Sequence, residues 1–285
     1  MHGTMTSSAV VASDHARQET GPEPSRPPSS KAASPPARLI ARLDIKGENV
    51  VKGIHLEGLR VVGAPGVLAE RYYRQGIDEI LYIDSVASLY GRNNILSMVQ
   101  RAAENIFVPL TVGGGLRSVE DIVDALRHGA DKVAINTAAI ARPALIEQGA
   151  EAFGSQCIVV SIEAKRRAPG KWEALTDNGR ETTGVDVLEW VVEAERLGAG
   201  ELLITSVDRD GTCRGFDIEL LREVRARVEI PVIASGGAGE SRHVASVLRD
   251  ADVDAIACGH IFHFEKLGVA DLKRDIRAAG FEVRS

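Results

Sequence analysis

The chain has 285 residues, enough for one large barrel domain or two ordinary domains. Hydrophobic residues make up 44% and charged residues 26%, the balance of a globular protein, and a formal net charge of -6 argues against a nucleic-acid surface, which needs clustered Lys and Arg. The three cysteines, Cys157, Cys213 and Cys258, show no CxxC-like spacing, which excludes a zinc ribbon or a disulfide framework, and no apolar run reaches the roughly 18 residues of a membrane span.

Residues 1–36 stand apart from the rest. The stretch 21–36 reads GPEPSRPPSSKAASPP. Its apolar content is too low to offset the entropy of ordering, so a disordered tail is expected there. The apolar run 9–12 is shorter than the core of a secretory signal, about 7–15 residues, so a cytoplasmic protein with reduced thiols is expected. From 37 to 285 the pattern becomes regular. Apolar runs at 39–43, 79–83, 108–112, 132–135, 157–162, 201–205, 231–234 and 255–258 predict strands. Their near-continuous hydrophobicity fits a parallel sheet covered on its outer face. The segments between them are helical in period. Ser118 followed by VEDIVDALRHG gives an N-cap, an acidic first turn, apolar residues at helical spacing and a closing Gly129. Residues 186–197 and 217–227 read the same way. Strands alternating with helices in this way predict a single (β/α)8 TIM barrel, with a doubly wound open sheet as the alternative.

The barrel sequence repeats itself. PLTVGGG (109–115) is echoed by PVIASGG (231–237), GIDEILYID (76–84) by GAGELLITSVD (198–208), and LIARLDIK, ending at Lys46, by VVSIEAK, ending at Lys165. Two similar four-strand halves, about 120 residues apart, therefore close one barrel and put Asp44 and Glu163 at equivalent strand ends on opposite sides of its mouth.

Reactive groups in such barrels sit at the C-terminal strand ends. Two Gly-rich turns leave strands there: Gly113-Gly114-Gly115, and Ser235-Gly236-Gly237. Exposed backbone N–H groups beside a helix start make each a phosphate cradle. Asn136 and Thr137 add donors to the first, and Asp210, Gly211 and Gly259 to the second. A ligand with a phosphate at each end is expected. Asp44 and Glu163 each end an otherwise apolar strand, where a carboxylate is costly unless paired or used. Either the lysine two residues on (Lys46, Lys165) holds each in an ion pair, or one is a general acid and the other a general base. Arg38, Glu79, Lys132 and Glu201 fall near strand starts, alternate in sign and predict a salt-bridge ring across the barrel floor. His260-x-x-His263 lacks a matching third ligand, so no metal is expected. Cys157 and Cys258 read as packing residues within strands. Trp190 reads as core, and Trp172 lies in an exposed-looking hairpin insert.

The segments LDIKGENVVKG, YIDSVAS, PLTVGGG, ADKVAINTAAI, SIEAKR, TDNGRETTG, LLITSVDRDGT and IASGGAG, in order from Arg38 onward, resemble the cyclase subunit of imidazole glycerol phosphate synthase. The resemblance implies a half-barrel-repeat TIM fold without a cofactor. It implies a glutaminase partner at the barrel bottom that sends ammonia through the barrel. It also implies a reaction in which ammonia adds to the bisphosphate PRFAR, giving imidazole glycerol phosphate and AICAR. By that resemblance Asp44 is a catalytic aspartate and Lys52 belongs to a mobile loop after the first strand. Gly115, Asn136 and Thr137 hold one phosphate, and Asp210, Gly211, Ser235 and Gly236 the other. Arg38, Glu79, Lys132 and Glu201 match a gate for ammonia, a different role from a merely structural floor ring.

Three positions depart from the family's pattern. Glu163 replaces its second catalytic aspartate, and Arg42 and His260 stand where small residues are usual. A longer carboxylate can displace proton transfer by roughly 1 Å, which is costly where geometry is tight. These departures resemble a side branch of the family found with surface-polysaccharide pathways, in which the subunit delivers ammonia to a separate sugar amidotransferase. The two expectations are a histidine-pathway cyclase and an ammonia conduit in glycan amidation.

Overall fold

The computed structural model of the protein describes residues 1–3, 35–87 and 95–284. Most of the Pro-rich stretch expected to be disordered lies outside those residues. Twelve strands are described: β1 Arg38–Lys46, β2 Asn49–Ile54, β3 Glu57–Gly63, β4 Glu79–Asp84, β5 Leu110–Gly113, β6 Lys132–Ile135, β7 Ile158–Ala168, β8 Lys171–Thr176, β9 Glu181–Asp186, β10 Glu201–Ser206, β11 Val232–Ser235 and β12 Ala255–Cys258. Eight of them pair in parallel in the order β1, β4, β5, β6, β7, β10, β11, β12, and β12 returns to β1. The sheet closes on itself, so the barrel holds and the open-sheet alternative falls.

The remaining strands form two antiparallel hairpins. β2–β3 folds back from β1, and β8–β9 folds back from β7. The first strand of each half thus carries the same insert, which extends the sequence repeat into three dimensions. The expected loop bearing Lys52 is the first of these hairpins.

Alternation along each strand divides the side chains between two environments. On β1, Leu39, Ala41, Leu43 and Ile45 join the apolar layer under the helices, while Ile40 packs inside the barrel with Leu81, Ala134, Val159, Leu203 and Ile233. Below this apolar plug lies the charged floor, and above it the polar mouth. The helices start where expected. Ser118 and Asp121 form a capping box at the start of Val119–Arg127, Asp186 caps Val187–Arg196 and Asp217 caps Ile218–Arg225.

Candidate active site

Asp44 stands at the mouth end of β1, opposite Val51 in the hairpin register, and this folds Lys52 back over it. Arg42 Nε donates to Asp44 Oδ1 at 2.8 Å, and Lys52 Nζ donates to Asp44 Oδ2 at 3.1 Å. Lys52 Nζ also donates to Asp210 Oδ1 at 2.9 Å, so one ammonium joins two carboxylates. All four side chains are buried. Burial alone would raise the Asp44 carboxyl. The charges of Arg42 and Lys52, with their hydrogen bonds, outweigh it and hold the carboxyl well below the usual carboxylate range. Burial also works against the charges of Arg42 and Lys52, and the facing carboxylates reverse that and raise both. Asp44 is therefore an anion at every working pH.

Glu163 ends the apolar part of β7, four strands around from β1 and so across the mouth from Asp44. Its Oε2 accepts from the Gly179 backbone N–H at 2.7 Å and from Asn136 Nδ2 at 3.0 Å. Burial pushes its carboxyl up to about 7, with the charges of Asp44 and Asp177 adding to the rise and that of Arg42 opposing it. The two carboxyls, on opposite sides of the mouth, thus hold protons with affinities that differ widely. The neighbouring lysines do not hold them: Lys46 is exposed, and Lys165 Nζ donates to Asp208 Oδ1 at 2.5 Å.

The glycine turns sit where the repeat puts them, and their backbones require glycine. Gly114 has φ +91°, and a Cβ there would lie 2.3 Å from the carbonyl oxygen of Asp84 at the end of the preceding strand. Gly236 has the same φ of +91°, and its Cβ would meet the carbonyl oxygen of Ser206, also at the end of the preceding strand, at 2.8 Å. Gly114→Ala is expected to cost about 1–3 kcal/mol for the left-handed backbone alone. Urea unfolding would register that loss, and an unchanged midpoint would contradict the fit.

The two cradles differ in the space they offer. The first opens into a cavity of about 440 Å³ lined by Gly114, Gly115, Asn136, Thr137 and Glu163. The void beside Asp210, Gly211, Ser235, Gly236, Gly237 and Gly259 is about 10 Å³, with Arg42, Lys52 and His260 around it. The hairpin of the second half leans on the first cradle: Asp177 N donates to Thr137 Oγ1 at 3.1 Å. Asp177, Asn178 and Gly179 take successive positive φ values of 51°, 59° and 75°, which turns the Gly179 N–H toward Glu163.

On the floor, Arg38 Nη1 donates to Glu79 Oε1 at 2.7 Å and Glu201 Oε1 at 3.0 Å, and Lys132 Nζ donates to Glu79 Oε2 at 3.2 Å and Glu201 Oε1 at 3.1 Å. The four charges close a ring of alternating sign. Glu201 Oε2 is buried without a hydrogen-bond partner.

Several expectations need correction. Cys157 lies in a short 3-10 turn before β7 and is only half-buried, whereas Cys258 is buried within β12. Trp172 is in the expected hairpin but is buried, with Nε1 donating to Asp217 Oδ2 at 3.3 Å and the Arg166 guanidinium 4.6 Å above its ring. His263 is buried against Tyr72, whose hydroxyl lies 2.7 Å from Nδ1, and burial lowers its imidazole to about 4. Among the described residues no cluster of three or more His, Cys, Asp or Glu side chains is placed to hold a metal ion. Sequence reasoning passed over Asp84, Ser85, Arg117 and Asn178, which all line the open cavity. The YID ending of β4 and the DNG turn were the available signals.

A closed (β/α)8 barrel built from two matching halves, with a glycine turn in each and a carboxylate on either side of the mouth, has the architecture of a barrel enzyme whose site lies at the C-terminal strand ends. Comparison with known proteins narrows the class. The family described as histidine biosynthesis protein matches residues 38–268. The imidazole glycerol phosphate synthase subunit HisF of Legionella pneumophila is 62% identical over 203 residues, which is 71% of this chain and 96% of that relative. The chain belongs to the histidine biosynthesis protein family, and within it to the HisF-like cyclase group.

Proposed function

We propose that the chain is the cyclase subunit of an imidazole glycerol phosphate synthase, a lyase-type enzyme of histidine biosynthesis that uses ammonia to convert PRFAR to imidazole glycerol phosphate and AICAR. The observation that carries this reading is the carboxylate pair. Asp44 stays ionised beside Arg42 and Lys52, while burial lifts Glu163 to about 7. Asp44, once the substrate draws Lys52 away from its Oδ2, serves as general base toward the amine formed when ammonia adds. A protonated Glu163 serves as general acid toward the departing group. Gly114, Gly115, Asn136 and Thr137 anchor one phosphate of the substrate. The second cradle, with Asp210, Gly211, Ser235, Gly236, Gly237 and Gly259, is assigned to the other.

The floor ring gives ammonia its entry. Arg38, Glu79, Lys132 and Glu201 lie at the barrel end away from the carboxylates, where a glutaminase subunit would dock. Neutral ammonia passes between paired charges more readily than a hydrated ion does. The reading puts this chain in the cytoplasm, where histidine biosynthesis would run. Purified chain given PRFAR and an ammonium salt is expected to form imidazole glycerol phosphate without the glutaminase. No detectable turnover at millimolar substrate would sink the assignment.

A second reading is favoured by one observation, the filling of the second cradle by Arg42. In it the barrel conducts ammonia to a separate sugar amidotransferase and turns over no bisphosphate. That role predicts that Glu163→Asp leaves ammonia delivery unchanged.

A further inference from the structure

The two cradles are related by the repeat, yet they are not equally available. Gly114, Gly115, Asn136 and Thr137 of the first are half-exposed, whereas Asp210, Gly211, Ser235, Gly236 and Gly237 of the second are buried and Gly259 alone of that set is half-exposed. What covers them is a side chain from β1. Arg42 Nη1 donates to Ser235 Oγ at 3.1 Å and to Thr205 Oγ1 at 2.8 Å, while its Nε stays on Asp44 at 2.8 Å. The hydroxyl of the second cradle is thus already engaged, and Arg42 is 3% exposed. A void needs about 10–15 Å³ to take one water molecule. The second cradle's void of about 10 Å³ is at that limit, far below the room for a phosphate group, whereas the first has about 440 Å³. The position in the second half that matches Arg42 is Ser161, two residues before Glu163 as Arg42 is two before Asp44. Serine is too short to reach across, and Ser161 lines the open cavity of the first cradle. Lys52 and His260 also border the second void, and Arg42 is the side chain among them that is bonded to the cradle's hydroxyl.

We propose that Arg42 is a specificity-determining plug of the second cradle: it closes that half of the site to phosphate, so that a bisphosphate binds only by displacing Arg42. This rests on the reading of the two turns as phosphate cradles. The plug acts by occupying space and by engaging Ser235, and it selects by excluding a competing ligand rather than by gaining contact with the preferred one. Its own charge is matched by Asp44, so little of it is left over to draw in a phosphate. Displacing it breaks three hydrogen bonds and uncovers the buried Asp44 anion, a cost that any bisphosphate must meet from its own binding energy.

The test is phosphate stoichiometry by isothermal titration calorimetry, with inorganic phosphate as probe and the full chain as receptor. Wild type is expected to take up one phosphate per chain and Arg42→Gly two. PRFAR should bind Arg42→Gly at least ~10-fold tighter than wild type, since removal of an exclusion shows directly as affinity. Arg42→Gln, which stays polar beside Asp44 but is too short to reach Ser235, gives the same readout should the glycine variant fail to fold. One phosphate in both wild type and variants would overturn the plug while leaving the first cradle intact. Two phosphates in wild type would overturn it as well. Weaker PRFAR binding by the variants would make Arg42 a phosphate ligand and contradict the proposal. No phosphate in any of these proteins would sink the cradle reading itself.

Discussion

Asp44→Asn is expected to lower kcat/KM for PRFAR with ammonium by about 10²–10⁴-fold, the usual worth of a positioned general base. The substitution keeps the shape of the side chain and removes its charge. One of its two terminal atoms becomes an N–H donor, and both positions now face donors, Arg42 Nε at 2.8 Å and Lys52 Nζ at 3.1 Å. A donor against a donor leaves a buried cation short of a partner. Removing one member of a buried ion pair typically costs about 3–5 kcal/mol, so stability should fall together with activity. Urea unfolding at neutral pH checks the stability, and steady-state kinetics the rate. Wild-type kcat/KM in a folded variant would remove Asp44 from the chemistry.

Glu163→Gln is expected to cost a similar factor in kcat, about 10²–10⁴-fold, with little loss of structure. The glutamine carbonyl can still accept from Gly179 N and Asn136 Nδ2, the two bonds that hold the carboxyl. Its amide has no acidic proton to give. The pH profile separates this from a structural role. As a general acid with its carboxyl raised to about 7, Glu163 predicts a wild-type kcat that falls as pH rises past neutrality. That limb should be missing in Glu163→Gln. The same shift has a consequence for stability. A carboxyl raised from 4.5 to about 7 binds more protons folded than unfolded between those values. Its stabilising contribution is complete below about pH 4.5 and is lost as pH rises through about 7. Wild type should therefore lose stability relative to Glu163→Gln across that window. A constant difference between the two would mean that Glu163 titrates alike in both states.

Much of this was legible in the sequence because it depends on local pattern. The apolar runs and the helix caps around Ser118, Asp186 and Asp217 each follow from short-range chemistry, and the internal repeat joined them into a closed barrel. The repeat also located both cradles and both carboxylates. What the sequence left open were contacts that depend on which way a chain folds back. Lys46 and Lys165 each lie two residues after a carboxylate, yet neither pairs with it; Arg42, two residues before Asp44, does. The other partner of Asp44, Lys52, arrives only because β2 turns back along β1 in the register that sets Val51 against Asp44. Trp172 looked exposed among polar neighbours, yet its hairpin lies down on the barrel and leaves it 1% exposed. Arg42 stood out in the sequence only as a departure from the family's pattern, and its reach to Ser235 requires the structure. The open cavity's Asp84 and Asn178 gave weaker signals still, a strand-final acid and one residue of a turn.

Asp44 and Glu163, on opposite sides of the barrel mouth, are expected to hold protons with widely different affinities, and the functional reading depends on that difference. Selective ¹³C labelling of the aspartate and glutamate carboxyls, with NMR titration of the intact chain, measures this directly. The account predicts that the Glu163 carbon titrates with a midpoint near pH 7. It predicts that the Asp44 carbon shows no midpoint above the pH at which the protein unfolds in acid. A Glu163 midpoint near the ordinary 4.5, or an Asp44 carboxyl that takes up its proton alongside it, would contradict the account.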